Sequence, residues 1–233
     1  MIANAQVSKL EDPLAHLPRS EVVLYKAKQI IYDGHRTTSR VYLVVSGFVV
    51  VTRLSENGTT ILQEIYGPDD LFGLSSVFGA WAHDRAIALS NCSLMSWGSE
   101  EVNRLVMLRP RLGVGLTQVM TRQTLDLARR LEGHAYYRIP ARLASTLIHF
   151  WDRFSTVQDD GSTQLFPLTH TILSWCVGTS RGLVSHHMNL LKLRGLVDYS
   201  RRRIIIDRAG LFEVIRSNKE SRPKVMRARV KTC

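Results

Sequence analysis

Hydrophobic and polar positions follow different periods in the two halves of the chain. From Val41 to Leu54 β-branched and aromatic residues crowd together, and after Glu56-Asn57-Gly58 the same pattern resumes from Thr59 to Tyr66. Asn-Gly between two such runs is a strong hairpin signal, because both residues tolerate positive φ. Gly34, Gly47, Gly67-Pro68 and Gly73 punctuate the region at the intervals of short strands and tight turns. The pattern predicts a β-sandwich or roll over about residues 20–98.

From Ser99 the period lengthens to that of helices: Glu100 to Met107, a turn at Arg109-Pro110, then a long helix from about Arg111 to His134. In the long helix Leu112, Leu116, Met120, Leu127 and Leu131 lie close to one stripe, interrupted by Gln123 and Thr124. Such a stripe must find a partner, either the β-domain of its own chain or a second copy in a coiled-coil-like seam. The expectation carried forward is the seam, which makes those five residues a dimer interface.

Further on, Thr169 can cap a helix from His170 to about Cys176, with Ile172, Leu173 and Cys176 turned inward. Gly178 breaks it. Thr179 or Ser180 can then cap a second helix whose Val184, Met188 and Leu191 form a buried stripe, and Gly195 is placed to end it. Arg181, Ser185, Asn189 and Lys192 share another face with Gly182 and His186 at its margin, and that face carries no carboxylate. Leu196-Val197-Asp198-Tyr199 and Ile204-Ile205-Ile206 read as a β-hairpin with Arg201, Arg202 and Arg203 at its tip. Two short helices and a hairpin with a cationic tip suit a groove flanked by phosphates.

The distribution of charge supports that reading. The formal net charge of the 233 residues is +11, yet residues 1–137 hold 14 Lys/Arg against 13 Asp/Glu, whereas 138–233 hold 17 against 7. Nearly all the excess accompanies the helix pair, and a basic surface of this kind attracts a polyanion by releasing condensed counterions. A membrane is disfavoured as that polyanion. The chain has no run of 18 or more apolar residues, no signal-peptide pattern at Met1–Ser20 and no lipidation motif, so a cytoplasmic location is expected. Three cysteines, Cys92, Cys176 and Cys233, without CxxC spacing argue against a disulfide framework.

Four motifs in order carry a family resemblance: Tyr42-Leu43-Val44-Val45-Ser46-Gly47-Phe48-Val49; Asp70-Leu71-Phe72-Gly73 with Asp84-Arg85; Ile139-Pro140-Ala141-Arg142-Leu143-Ala144; and Val177-Gly178-Thr179-Ser180-Arg181 with Val184-Ser185. From about Leu24 to Ile206 the chain resembles the cyclic-AMP receptor protein/FNR (Crp/Fnr) family of bacterial transcription regulators. The resemblance implies an α+β protein with an N-terminal double-stranded β-roll, a long dimerisation helix and a C-terminal winged helix-turn-helix. The corresponding segments are 1–110, 111–137 and 138–210, with a basic extension over 211–233. It implies a homodimer on double-stranded DNA, with RNA polymerase as a further partner. The DNA-contacting set is expected to be Thr179, Ser180, Arg181, Gly182, Ser185, His186, Asn189, Arg201 and Arg202.

Within the resemblance the chain departs in two places. Relatives often carry a Glu where Gly182 stands and an Arg where His186 stands, so the DNA sequence preferred here should differ from theirs. In cyclic-nucleotide-binding members a Glu follows the β-roll glycine and a Ser or Thr follows the phosphate-binding Arg. This chain has Gly73-Leu74 and Arg85-Ala86, and the helix positions that would meet the purine fall near Leu127 and Ala128. Arg85 alone survives as a ligand-binding candidate, and an unpaired ribose or phosphate group would cost about 1–3 kcal/mol each. No resident cofactor is therefore expected, and the effector is unassigned. An iron-sulfur cluster is disfavoured by the lack of cysteine in Met1 to Arg40; for haem, His83, Cys92 and His134 qualify by residue type alone.

The competing class is a cupin-like metal enzyme. It would need His-x-His followed by Glu, or His-Glu-x-x-His on a helix, and the chain has neither. His186 and His187 are adjacent and point about 100° apart on a helix. No enzyme activity is expected. In the tail, Leu211, Val214 and Ile215 predict one short helix, followed by a basic stretch from Arg216 to Lys231.

Overall fold

The computed structural model describes residues 11–33, 39–54, 60–76, 84–157, 163–166, 168–200 and 203–218. The chain divides into two compact units, Met1–Asp126 and Leu127–Cys233. The expected hairpin residues Glu56-Asn57-Gly58 lie outside the described set, but the strands flanking them pair antiparallel with Leu54 opposite Thr60.

The first unit contains β1 (Val23–Tyr25), β2 (Ile30–Asp33), β3 (Arg40–Ser46), β4 (Val49–Leu54), β5 (Thr60–Tyr66), β6 (Leu71–Phe72), β7 (Asp84–Ala88) and β8 (Cys92–Gly98). They form two four-stranded sheets, in the orders β1-β8-β3-β6 and β2-β7-β4-β5, every pairing antiparallel. Helices α1 (Ser99–Leu108) and α2 (Pro110–Tyr136) follow. Gly47 turns β3 into β4 at φ +80, and a Cβ there would lie 2.3 Å from the Asn91 carbonyl oxygen, so only glycine fits.

The central strand β3 is buried on both faces. Tyr42 and Val44 turn into the roll with Val49, Val51, Phe72, Ala86, Ala88, Cys92 and Leu94. Val41, Leu43 and Trp97 point the other way, against Val102 of α1 and Leu112 and Leu116 of α2. This is why Val41–Val44 is continuously apolar instead of alternating. The Trp97 indole N–H donates to the Pro18 carbonyl at 2.9 Å, which fixes the N-terminal segment over the same layer.

The packing of α2 corrects the expected dimer stripe. Leu112 and Leu116 are essentially inaccessible in the core of their own unit, so they cannot also meet a second chain. Gln123, which broke the stripe, donates from Nε2 to the Leu71 carbonyl at 3.0 Å and belongs to this inward face too. Met120, Leu127 and Leu131 sit about 60° further round at 100° per residue, and all three are exposed. With Thr117 and Thr124 they repeat at intervals of three and four residues, the spacing of a helix seam.

The second unit is built on α3 (Ile139–Phe154), whose Ala141, Leu143, Ala144, Leu147, Ile148, Phe150 and Phe154 are buried. It continues through the short pair β9 (Thr156–Val157) and β10 (Thr163–Gln164), then α4 (His170–Val177), α5 (Arg181–Leu193), β11 (Val197–Tyr199), β12 (Ile204–Ile206) and α6 (Arg208–Ser217). β11 and β12 pair antiparallel, Val197 opposite Ile206, and Leu165 exchanges two backbone hydrogen bonds with Ile204 on the other edge of β12. Helix α6 starts at Arg208, just before the boundary expected at residue 210, and runs on into the segment expected to be an extension. Leu211 and Val214 are buried, Asp207 caps the helix, and Arg208 clasps Asp152 of α3 through two bonds of 3.0 and 2.9 Å.

Candidate nucleic-acid interface

The two helices α4 and α5 form as their sequences dictate. Thr169 Oγ1 accepts from the Ile172 N–H at 3.2 Å to cap α4, and Gly178 ends it at φ +64 with its N–H on the Ser174 carbonyl. The positive φ favours glycine there, and a Cβ would also fall 2.7 Å from His134 Cε1. Of the two cap candidates for α5, the structure selects Ser180, whose Oγ accepts from the Leu183 N–H at 3.2 Å. Thr179 instead donates its backbone N–H to the Ser174 carbonyl at 3.1 Å.

Val184, Met188 and Leu191 are buried, and they set the rotation of α5. The direction opposite to them falls, at 100° per residue, between Gly182 and His186. Arg181, Gly182, His186 and Asn189 are all exposed. The side that carries Ser185, Asn189 and Lys192 is turned toward the hairpin and α4. There Ser185 Oγ donates to the Arg181 carbonyl at 3.0 Å and lies 2.8 Å from His170 Nδ1. Tyr199 Oη donates to Asn189 Oδ1 at 2.7 Å, and Lys192 Nζ donates to Asp198 Oδ1 at 3.1 Å while standing 5.2 Å over the Tyr199 ring. The ring of His170 completes the group, 5.4 Å from Tyr199.

These bonds sort the expected contact set. Arg181, Gly182 and His186 stand clear, whereas Ser185 is engaged within the helix pair and is half-buried. Arg201 and Arg202 lie outside the described residues. Sequence reasoning missed Tyr199, Asp198 and His170 as partners of α5, since nothing in their spacing announces a contact across a hairpin. Burial and the nearby Arg181 guanidinium lower the His170 pKa, and the bond from Lys192 lowers that of Asp198.

Four rings stack within the roll. Phe72 stacks with Tyr42 at 5.0 Å and Tyr66 at 5.3 Å, and Tyr32 stacks with Tyr42 at 5.6 Å. Burial raises the Tyr32 phenol pKa far above its ordinary value, which keeps the ring neutral. Arg85, the ligand-binding candidate, is engaged by a carboxylate. Asp84, Ala86 and Ala88 of β7 are buried, so the strand's two-residue period turns Arg85 to the exposed side, where its Nη2 meets Asp33 Oδ2 at 2.6 Å and its Nε at 3.0 Å. Asp84 accepts from Arg53 Nε at 3.0 Å and Gln63 Nε2 at 2.7 Å. Cys92, a haem candidate by type, packs in the roll core, where burial raises its thiol pKa. His83 lies outside the described residues, and His134 has Arg142 Nη1 at 3.4 Å from its Nδ1.

Comparison with known proteins follows the same two units. Residues 22–108 match the family model of the cyclic nucleotide-binding domain, and residues 141–214 match that of the Crp-like helix-turn-helix domain. The chain is 26% identical over 184 residues to the global nitrogen regulator of Synechococcus elongatus, covering 78% of this chain and 82% of the relative. It is 25% identical over 176 residues to the CRP-like cAMP-activated global transcriptional regulator of Mycobacterium tuberculosis, covering 72% and 75%. The chain belongs to the Crp/Fnr family. Its α+β fold is shared with FixK2 from Bradyrhizobium japonicum, which superposes with a TM-score of 0.76 at 18% identity over 84% of this chain and 98% of that one. It is a Crp/Fnr-type transcription regulator with a helix-turn-helix DNA-binding domain, and the matched residues include α4 and α5. Among the described residues no helix is long and apolar enough to cross a membrane, and no three His, Cys, Asp or Glu side chains gather as metal ligands.

Proposed function

We propose that this Crp/Fnr regulator acts as a cytoplasmic homodimer, placing two copies of α5 in successive major grooves of a two-fold symmetric operator, about 34 Å apart. The observation that carries the reading is the outward face of α5. Arg181, Gly182 and His186 are exposed on its first two turns, while Val184, Met188 and Leu191 anchor the opposite side. Arg181 supplies a planar fork that matches guanine O6 and N7, and Ser180, Thr179 and the hairpin tip with Arg201 and Arg202 serve the backbone phosphates. The exposed Met120, Leu127 and Leu131 of α2, with Thr117 and Thr124, form the seam between copies.

In this reading the β-roll takes no cyclic nucleotide in the usual way. Phe72 and three tyrosines stack within it, and Arg85 pairs with Asp33 on the exposed side of its strand. The relative from M. tuberculosis is cAMP-activated; the effector of this chain differs or is absent. RNA polymerase is the further partner expected of a regulator bound at promoters. Selection from randomised duplexes with the full-length protein tests the reading, with calorimetric titration of cyclic AMP and cyclic GMP beside it. A two-fold symmetric consensus and no nucleotide heat are expected. Equal affinity for all duplexes refutes the operator, and micromolar nucleotide binding refutes the sensor assignment.

A further inference from the structure

The fold itself gives no reason for glycine at position 182. Its φ is not positive, and a Cβ built there meets only Ser180 Oγ, at 3.9 Å. Gly178 and Gly210 differ: the first needs φ +64, and at the second a Cβ would run into Leu196 at 2.3 Å. Glycine weakens a helix, so position 182 carries a cost that no internal contact repays. What glycine creates there is a gap on the outward face of α5, one turn before His186 and flanked by Arg181 and the exposed Leu183.

Resting on the DNA-reading function above, we infer that this gap receives the C5-methyl group of a thymine, so that Gly182 sets specificity by the side chain it lacks. The first residues of a recognition helix approach the base edges most closely. Of the groups a base pair presents in the major groove, the amino groups of adenine and cytosine and the acceptors of guanine all need a hydrogen-bond partner. Facing a bare methylene with water shut out, each would lose one. The thymine methyl needs none and gains by leaving water. Leu183, 42% exposed, extends the apolar lining on one side, and Arg181 on the other takes the neighbouring guanine. The half-site is therefore expected to pair a guanine with an adjacent thymine.

The experiment uses the full-length protein and the duplex that selection yields. A thymine is expected next to the guanine read by Arg181, and replacing it by deoxyuridine, which removes only the methyl group, should weaken binding about fourfold. Gly182→Ala fills the gap: it should raise Tm by about 2 °C, weaken the thymine duplex and abolish the difference between thymine and uridine. A consensus with no thymine at the contacted positions, a uridine duplex bound as tightly as thymine, or an unchanged uridine penalty in Gly182→Ala overturns the inference. Enrichment of no duplex at all overturns the DNA-reading proposal and this one with it, whereas an enriched operator with a flat uridine response removes only the thymine assignment.

Discussion

Tyr199 Oη donates a 2.7 Å hydrogen bond to Asn189 Oδ1, which ties β11 to the middle of α5. The consequence for reading is specific. Asparagine recognises adenine by donating to N7 and accepting from the N6 amino group, and the accepting oxygen of Asn189 is already in use. With one of the two lone pairs of that oxygen committed, Asn189 is left with its amide N–H donors and a single acceptor site, which favours phosphate oxygens or the acceptors of guanine and thymine over paired recognition of adenine.

Tyr199→Phe frees that oxygen. Stability should fall by about 0.5–1.5 kcal/mol in denaturant unfolding, as for a single hydrogen bond. Adenine should become more acceptable at one position of each half-site, as measured by binding to a panel of single-base operator variants. An unaltered base preference would show that Asn189 does not meet a base.

Arg181→Ala tests direct readout. Discrimination at one base pair per half-site should drop by about 1–3 kcal/mol, with affinity for random DNA reduced much less. Equal losses on specific and random duplexes would leave Arg181 a phosphate contact.

The two faces of α2 separate fold from assembly. Leu112→Ala should destabilise the protein by about 2–5 kcal/mol, because it opens a cavity in the core beside Val41 and Leu43, without changing the dissociation of dimers. Leu131→Lys, at a side chain 60% exposed, should leave unfolding of the monomer nearly unchanged and shift sedimentation toward monomer. The reverse assignment of effects would restore the seam to the Leu112 side.

Asp33→Ala tests the outward placement of Arg85. The pair is exposed, so its loss should cost less than about 1 kcal/mol in thermal or denaturant unfolding. Cyclic AMP should give no stabilisation in either protein. A nucleotide-dependent rise in Tm on removing Asp33 would mean that the pair holds Arg85 away from a ligand.

Acidification should weaken the DNA-binding unit. Burial lowers the pKa of His170, assisted by Arg181, and burial with Arg142 and Arg130 lowers that of His134. Between the ordinary histidine pKa of about 6.5 and the depressed folded values, the unfolded chain binds more protons, so stability falls as pH falls through that window and levels off below it. Unfolding followed from pH 7.5 down to about 5.5 should show the decline, and His170→Gln should flatten it.

Much of this architecture was legible in the sequence, for local reasons. Thr169, Gly178, Ser180 and Gly195 are residues whose capping chemistry depends on the immediate backbone, and the helices they bound appear where those residues stand. The stripe on α2 was harder, because two inward leucines and three outward apolar residues differ by less than one residue's rotation, and only the sheet decides which side is covered. Arg85 was legible in principle: the small Ala86 and Ala88 mark the inward face of β7. The buried carboxylate of Asp84 on that same face disguised it, since Arg53 and Gln63, which make its burial tolerable, come from other strands. The network of His170, Ser185, Asn189 and Tyr199 joins residues of α4, α5 and β11, and no periodicity within one element encodes it.

The Ser185 hydroxyl has further work to do. It owns one proton, and that proton goes to the Arg181 carbonyl, so the 2.8 Å contact to His170 requires the imidazole to be the donor. The fold thus fixes His170 as the Nδ1–H tautomer, leaving Nε2 bare. A proton arriving at low pH must land on Nε2, where it preserves the bond to Ser185 and sets a second positive charge beside Arg181. Nitrogen-15 chemical shifts of that one ring would therefore report whether the reading helix and its neighbour are seated.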